Sequence, residues 1–259
     1  MLACLENRST WDAKSSNFSQ TPKSRNSPYF FGSNPEQGFE AARLREFIKS
    51  CYDSGNMSDS AKPNVILTSS FNTVAGALRE KSLLPKTASV AFIPTAGDPY
   101  PERPWIDADR KALVDLGYSV MDIDLKGVTA GSLEKELSSH DIIFVAGGNT
   151  TYLVQQSYIS GFADLIHSFL KQGKLYIGSS AGSILAGPTV KPFVTEDIAE
   201  LPKDFVLTNP TCLHLVDYVV LPHDQVEQFS AEHDKIIKQH GEQLTFVRLP
   251  DLEYRVENI

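Results

Sequence analysis

The sequence predicts an α/β protein with a doubly wound, mostly parallel sheet and a serine nucleophile elbow. Three observations predict it. From residue 64 onward, short apolar runs rich in β-branched residues alternate with helix-like stretches, and strands of that kind are covered by crossover helices on both faces. One of these runs passes straight into Gly178-Ser179-Ser180-Ala181-Gly182, the G-x-S-x-G spacing of a serine on a tight strand-to-helix turn. Two later runs end just before His223 and Asp251, and ligands in open α/β sheets sit beyond the carboxyl ends of the strands.

Residues 1–60 read differently from the rest. The stretch is rich in Ser, Asn, Pro and Gly and has neither the strand nor the helix period, so its apolar surface is too small to offset the entropy of ordering. It is expected to be a disordered N-terminal extension, apart from a helix at 39–52. Met57, directly before the first strand, is a candidate start of the folded unit. Residues 61–259 are expected to form an α/β serine hydrolase domain. Within it, 64–68 reads as a buried strand and 72–83 as a helix capped by Asn72 or Thr73. A strand at 88–93 leads through a proline-rich loop to a helix near 106–116, and 118–123 is a third strand. A short helix at 131–138 precedes a strand at 141–145 and the loop Ala146-Gly147-Gly148-Asn149-Thr150. Helices at 151–157 and 162–171 lead to the strand that enters Ser180. After the elbow, strands at 217–221 and 244–249 flank a charged helix at 225–239.

Composition bounds the function. With 259 residues, 41% hydrophobic and 22% charged, the chain is an ordinary globular protein. A net charge of -8 argues against nucleic-acid binding, which favours a basic face. Cys4, Cys51 and Cys212 are widely spaced, which suggests neither a disulfide framework nor a zinc site. No apolar run reaches the roughly 18 residues of a membrane span, and the N-terminus lacks the pattern of a secretory signal. A cytoplasmic location, no membrane partner and no cofactor are expected. The oligomeric state is not legible.

A serine hydroxyl needs a base within hydrogen-bond reach to act as a nucleophile. Of six histidines, only His223 follows a strand's carboxyl end, and imidazole suits proton transfer near neutrality. A carboxylate should orient it. Asp251 is the first choice because it follows a strand to the same rim; Asp197 and Glu196, after the elbow helix, are alternatives, and Asp224 is disfavoured as His223's immediate neighbour. The oxyanion needs two preorganised donors: the N–H of Ala181 and an N–H from the glycine loop, Gly148. That loop alone could also cradle a phosphate, so a small-ligand-binding protein is the competing reading.

These segments together resemble the peptidase E family of serine peptidases, which includes aspartyl dipeptidases and cyanophycinases. The resemblance covers 64–253 and rests on Phe144-Val145-Ala146-Gly147-Gly148-Asn149-Thr150, Tyr176-Ile177-Gly178-Ser179-Ser180-Ala181-Gly182, Pro222-His223 and Leu249-Pro250-Asp251. It implies a fold similar to class I glutamine amidotransferases, with Ser180 as nucleophile, His223 as base, and Gly148 and Ala181 as oxyanion donors. It also implies a small peptide substrate, and an active role for an aspartate after the elbow helix, to which Asp197 is the nearest match. Family members with known structures use glutamate where Asp251 stands, and continue with further strands. Aspartyl dipeptidases carry an arginine downstream of the histidine to hold the substrate aspartate. Between 224 and 239 this chain has only Lys235 and Lys238, and a lysine point charge does not replace the guanidinium fork. An acidic polymer, as for cyanophycinases, is the alternative substrate.

Overall fold

The computed structural model describes residues 64–194, 197 and 201–259. The extension at 1–60, its helix and Met57 lie outside the described residues. The first half of the order is β1 (Val65–Thr68), α1 (Phe71–Glu80), β2 (Ser89–Ile93), α2 (Pro104–Asp115), β3 (Ser119–Asp122), α3 (Ala130–Ser138) and β4 (Ile142–Val145). Then come α4 (Thr150–Ile159), α5 (Phe162–Lys171), β5 (Leu175–Ser179) and the short α6 (Ala181–Leu185). They are followed by β6 (Val219–Pro222), α7 (Glu227–His240), β7 (Phe246–Leu249) and β8 (Tyr254–Glu257).

Six strands form one sheet in the order β3-β2-β4-β5-β1-β8. All pairs in it are parallel except β8, which runs antiparallel to β1. Side chains alternate across the sheet. Val65, Leu67, Ala91, Ile93, Ile143, Val145 and Tyr176 therefore join a core with α3, α4 and α5 on one face. Ile66, Val90, Phe92, Ile142, Phe144 and Ile177 join α1 and α2 on the other. In β1, β2, β4 and β5 both faces are buried, so these strands read as continuous apolar runs and not as alternation, whereas the edge strands β3 and β8 are largely exposed or half-buried. Among the described residues no helix is long and apolar enough to cross a membrane.

Local chemistry sets the helix starts. Pro104 opens α2, where its missing N–H costs nothing. Thr129 and Ser132 form a reciprocal capping box on α3, and the Asn149 side chain accepts the Tyr152 N–H at the start of α4. The first helix departs from its sequence expectation. It begins at Phe71 with Ser70 in the cap position and ends at Glu80. The Asn72 N–H is held by the Asp109 carboxylate at 2.9 Å, so Asn72 lies inside the first turn and caps nothing there.

Two features of the second half are not legible as local patterns. β6 and β7 pair with each other, in parallel, in a separate two-stranded sheet. β8, for which no strand was read, covers the β1 edge, with Ile66 opposite Val256. Its four residues are too few for periodicity to show, and only the β1 edge gives them partners for their backbone hydrogen bonds.

β4, β5 and β1 are neighbours, so the loops after them emerge side by side. The turn after β5 packs tightly. A Cβ on Gly182 would stand 2.1 Å from the Val145 carbonyl oxygen, closer than any real contact. Gly182→Ala is expected to lower stability by about 3 kcal/mol, as overpacking against backbone does. Chemical denaturation checks this; an unchanged midpoint would contradict the packing.

Candidate active site

Ser180 sits between β5 and α6 at φ 49°, ψ −110°, a left-handed conformation that costs a non-glycine residue about 1–3 kcal/mol. Hydrogen bonds around it over-determine the turn. The Ser180 N–H donates to the Thr68 carbonyl at 2.9 Å. The Tyr176 hydroxyl, fully buried, donates to the Gly182 carbonyl at 2.6 Å. The Ser183 hydroxyl accepts the Thr68 N–H at 2.9 Å and lies within hydrogen-bond distance of the Thr68 and Gly178 carbonyls. Ser183 thus stitches the β1 end to the elbow, a role the elbow motif does not reveal.

His223 follows β6 and also has a positive φ, 61°. Its Nε2 lies 3.0 Å from Ser180 Oγ and its Nδ1 lies 2.6 Å from Asp251 Oδ1. A carboxylate can only accept from a neutral imidazole, so Asp251 selects the Nδ1–H tautomer and leaves Nε2 to accept from the serine hydroxyl. Ser69 holds the two small-sheet strands in place. Its hydroxyl donates to the Leu249 carbonyl at 2.5 Å and accepts the His223 N–H at 3.2 Å. Thr73 Oγ1 donates to the Asp251 carbonyl at 2.5 Å. Asp251 reaches the imidazole because β7 pairs with β6 and its loop is tied back to α1, so the shorter side chain spans the gap.

The other expected residues divide. Gly148 lines the same cavity as Ser180, at φ 147°, and a Cβ there would stand 2.1 Å from the Ala96 carbonyl oxygen. Only glycine fits. Ala181 opens α6, and the first N–H groups of a helix have no intrahelical acceptor. Asp197 also lines the cavity, but its carboxylate takes the N–H and hydroxyl of Thr151 at 2.8 and 2.9 Å, and its carbonyl accepts from Asn149 Nδ2. That ties the post-elbow segment to the glycine loop. Glu196 lies outside the described side chains. Asp224 pairs with Arg248 at 2.7 Å and with His233 Nδ1 at 2.9 Å. Burial would raise its pKa, but these two partners outweigh burial and lower it.

The cavity has a volume of about 620 Å³, and it joins Ser180, His223 and the glycine loop to Trp105 on α2 and one face of α7. Trp105 Nε1 donates to the Gly147 carbonyl at 3.2 Å. His233 lines it as well, with its pKa lowered chiefly by burial despite the Asp224 contact. Cys212 is buried and burial pushes its thiol pKa up, so it offers no competing nucleophile. Among the described residues no group of three or more His, Cys, Asp or Glu is placed to hold a metal ion.

Asp109, on α2, was not singled out in the sequence. It is 3% exposed, lines the cavity, and accepts from the Asn72 N–H at 2.9 Å and from the Ser179 hydroxyl. Burial raises its pKa to about 6 in spite of these bonds and the nearby His223. A lone aspartate in a helix carries no linear signal of this; only its depth does.

Known proteins are similar to this chain over most of its described residues. The model of peptidase family S51 matches residues 65–253. An uncharacterized peptidase of Listeria monocytogenes serovar 1/2a is 35% identical over 178 residues, covering 69% of this chain and 86% of the relative. Peptidase E of Salmonella arizonae is 37% identical over 103 residues, 40% of this chain and 43% of that protein. Among solved structures, a candidate peptidase E protein from Listeria monocytogenes EGD-e superposes with a TM-score of 0.66 at 30% identity, covering 77% of this chain and all of that one.

Asp109 yields a pH prediction. Its folded pKa is above the ordinary 3.8, so between about pH 4 and 6 the folded state binds the proton more tightly than the unfolded one, and stability falls as pH rises through that window. Asp109→Asn keeps an acceptor for Asn72 and removes the charge. The variant is expected to gain stability over the native chain by up to about 3 kcal/mol above pH 6.5, with the gain gone below pH 4. Urea midpoints across pH would check this, and a pH-independent difference would contradict it.

Proposed function

This chain belongs to peptidase family S51 and is a serine-type peptidase; we propose that it hydrolyses small peptides as a dipeptidase or exopeptidase, with Ser180 as its nucleophile. The supporting observation is the continuous chain from Ser180 Oγ to His223 Nε2 at 3.0 Å and from His223 Nδ1 to Asp251 at 2.6 Å. A cavity of about 620 Å³ lies in the range of small-molecule sites and suits a peptide of a few residues.

In this reading Ser180 Oγ attacks the scissile carbonyl carbon while His223 Nε2 takes its proton, and Asp251 stabilises the imidazolium that forms. Negative charge gathers on the carbonyl oxygen. Ala181 N–H and Gly148 N–H are the donors that meet it, and preorganised donors of this kind contribute about 3–4 kcal/mol each. The C–N bond then breaks, and His223 returns its proton to the departing amine. A water molecule, deprotonated by His223, attacks the acyl-serine ester; the ester C–O bond breaks, His223 returns the proton to Ser180 Oγ, and the acid product leaves. Asp197 acts at one remove, holding the Gly148 loop through Asn149 and Thr151.

Ser180→Ala is expected to lower turnover of dipeptides by about 10⁴-fold or more while unfolding stays cooperative. A fluorophosphonate probe should label the native chain and not this variant. Labelling that survives Ser180→Ala, or undiminished peptidase activity in it, would sink the assignment.

A further inference from the structure

We propose that Trp105 is a positioning residue for the oxyanion site: its indole N–H fixes the peptide group that carries the Gly148 N–H. The inference deepens the peptidase reading and rests on it, through the role given there to Gly148. Trp105 acts on the reaction through the glycine loop, and its own side chain need not touch the reacting atoms.

The loop from β4 to α4 is anchored at both ends. The Ala146 N–H donates to the Ile93 carbonyl at 3.0 Å, and the Asn149 N–H donates to the Ala96 carbonyl at 2.8 Å. The peptide group between Gly147 and Gly148 lies between these anchors. It has glycine on both sides, so no Cβ opposes its rotation about the flanking bonds. Left alone, such a group can turn over and exchange the directions of its carbonyl and its N–H. The Gly148 N–H donates to no backbone carbonyl among the described residues, so its direction has to be set from the other end of the peptide group. Trp105 Nε1, at the start of α2, donates to the Gly147 carbonyl at 3.2 Å. A planar trans peptide points its carbonyl and its N–H in opposite directions. Holding the Gly147 oxygen on the Trp105 side therefore aims the Gly148 N–H away from it. Gly147 stands directly against the nucleophile: a Cβ built on it would lie 3.0 Å from Ser180 Cβ and 3.6 Å from Ser180 Oγ. The bond to the carbonyl also polarises the peptide group, which makes its N–H a stronger donor. Trp105 is itself held. Pro104 fixes the first turn of α2, and the Tyr100 and Trp105 rings meet edge to face with centroids 5.4 Å apart.

Trp105→Phe removes the N–H and keeps an aromatic ring beside Tyr100. With dipeptide substrates, kcat is expected to fall about tenfold, the scale of one hydrogen bond lost from an organised donor, while KM changes by less than about twofold. A peptide boronic acid, which forms a tetrahedral adduct on Ser180 with an oxygen in the oxyanion site, should lose affinity by the same factor. Calorimetric binding of the dipeptide to Ser180→Ala should be the same with and without Trp105→Phe. A tryptophan that only walls the cavity would give the opposite split, with KM raised and kcat kept, and that result would overturn the inference. So would native kcat and native boronate affinity in Trp105→Phe. The bond can also be read with Trp105 intact. The sequence has two tryptophans, Trp11 and Trp105, and Trp11→Phe leaves the indole signal of Trp105 alone. Its hydrogen is expected to exchange with solvent at least about tenfold more slowly than that of free tryptophan. Exchange at the free rate would overturn the inference even if Trp105→Phe did not fold. A native chain that neither turns over dipeptides nor reacts with a fluorophosphonate would refute the proposed function, and the inference with it. Turnover that Trp105→Phe leaves unchanged refutes the inference alone.

Discussion

At Ser180 the backbone occupies a left-handed conformation that the local sequence does not favour, and it is held there by contact with the neighbouring strands. Gly182 approaches the Val145 carbonyl so closely that no side chain fits between them. Ser183, Tyr176 and the Ser180 amide spend their hydrogen bonds on β1, β5 and the turn itself. The hydroxyl is thus aimed by three central strands and not by the loop that carries it. A fold in which β4, β5 and β1 were not adjacent would have no means of holding this turn.

The same constraint reaches His223 and Asp251 through Ser69. These two residues follow β6 and β7, which form a small sheet that shares no ladder with the main one among the described residues. Ser69, at the carboxyl end of β1, bonds both the His223 amide and the Leu249 carbonyl. One hydroxyl therefore registers His223, and the strand that leads to Asp251, against β1, the neighbour of β5. His223 pays for this with a positive φ of its own. The positive φ at both Ser180 and His223 is held by hydrogen bonds that come from outside their own loops.

Electrostatics adds a second layer. Asp109 lies under the nucleophile strand end, bonded to Ser179 and the start of α1, and burial leaves it only partly inclined to ionise near pH 6. Asp197 and Glu232 add carboxylates to the cavity wall. Arg248 is bound to Asp224 and Asp234. The departure from aspartyl dipeptidases that the sequence shows as an arginine missing from 224–239 has a spatial counterpart in a cavity with no arginine or lysine among its described lining residues.

The sequence alone determined the α/β class and the order of nearly all the strands and helices, and it brought out Ser180, His223, Gly148 and Ala181 as candidates. Each of these is a local matter: apolar runs follow from burial on both faces, and G-x-S-x-G and the glycine loop follow from steric demands within a few residues. Asp251 could be ranked first by its place after a strand, but not separated from Asp197 and Glu196, because reach depends on how close two strands lie. Tertiary structure decided that the 2.6 Å contact belongs to Asp251 and that Asp197 braces the glycine loop. It also decided that β6 and β7 stand apart and that β8 covers the β1 edge. Ser69, Ser183 and Asp109 went unread for the same reason. Their roles arise from partners 37 to 180 residues away in the chain, and separations of that size leave no pattern in sequence for a serine or an aspartate to show.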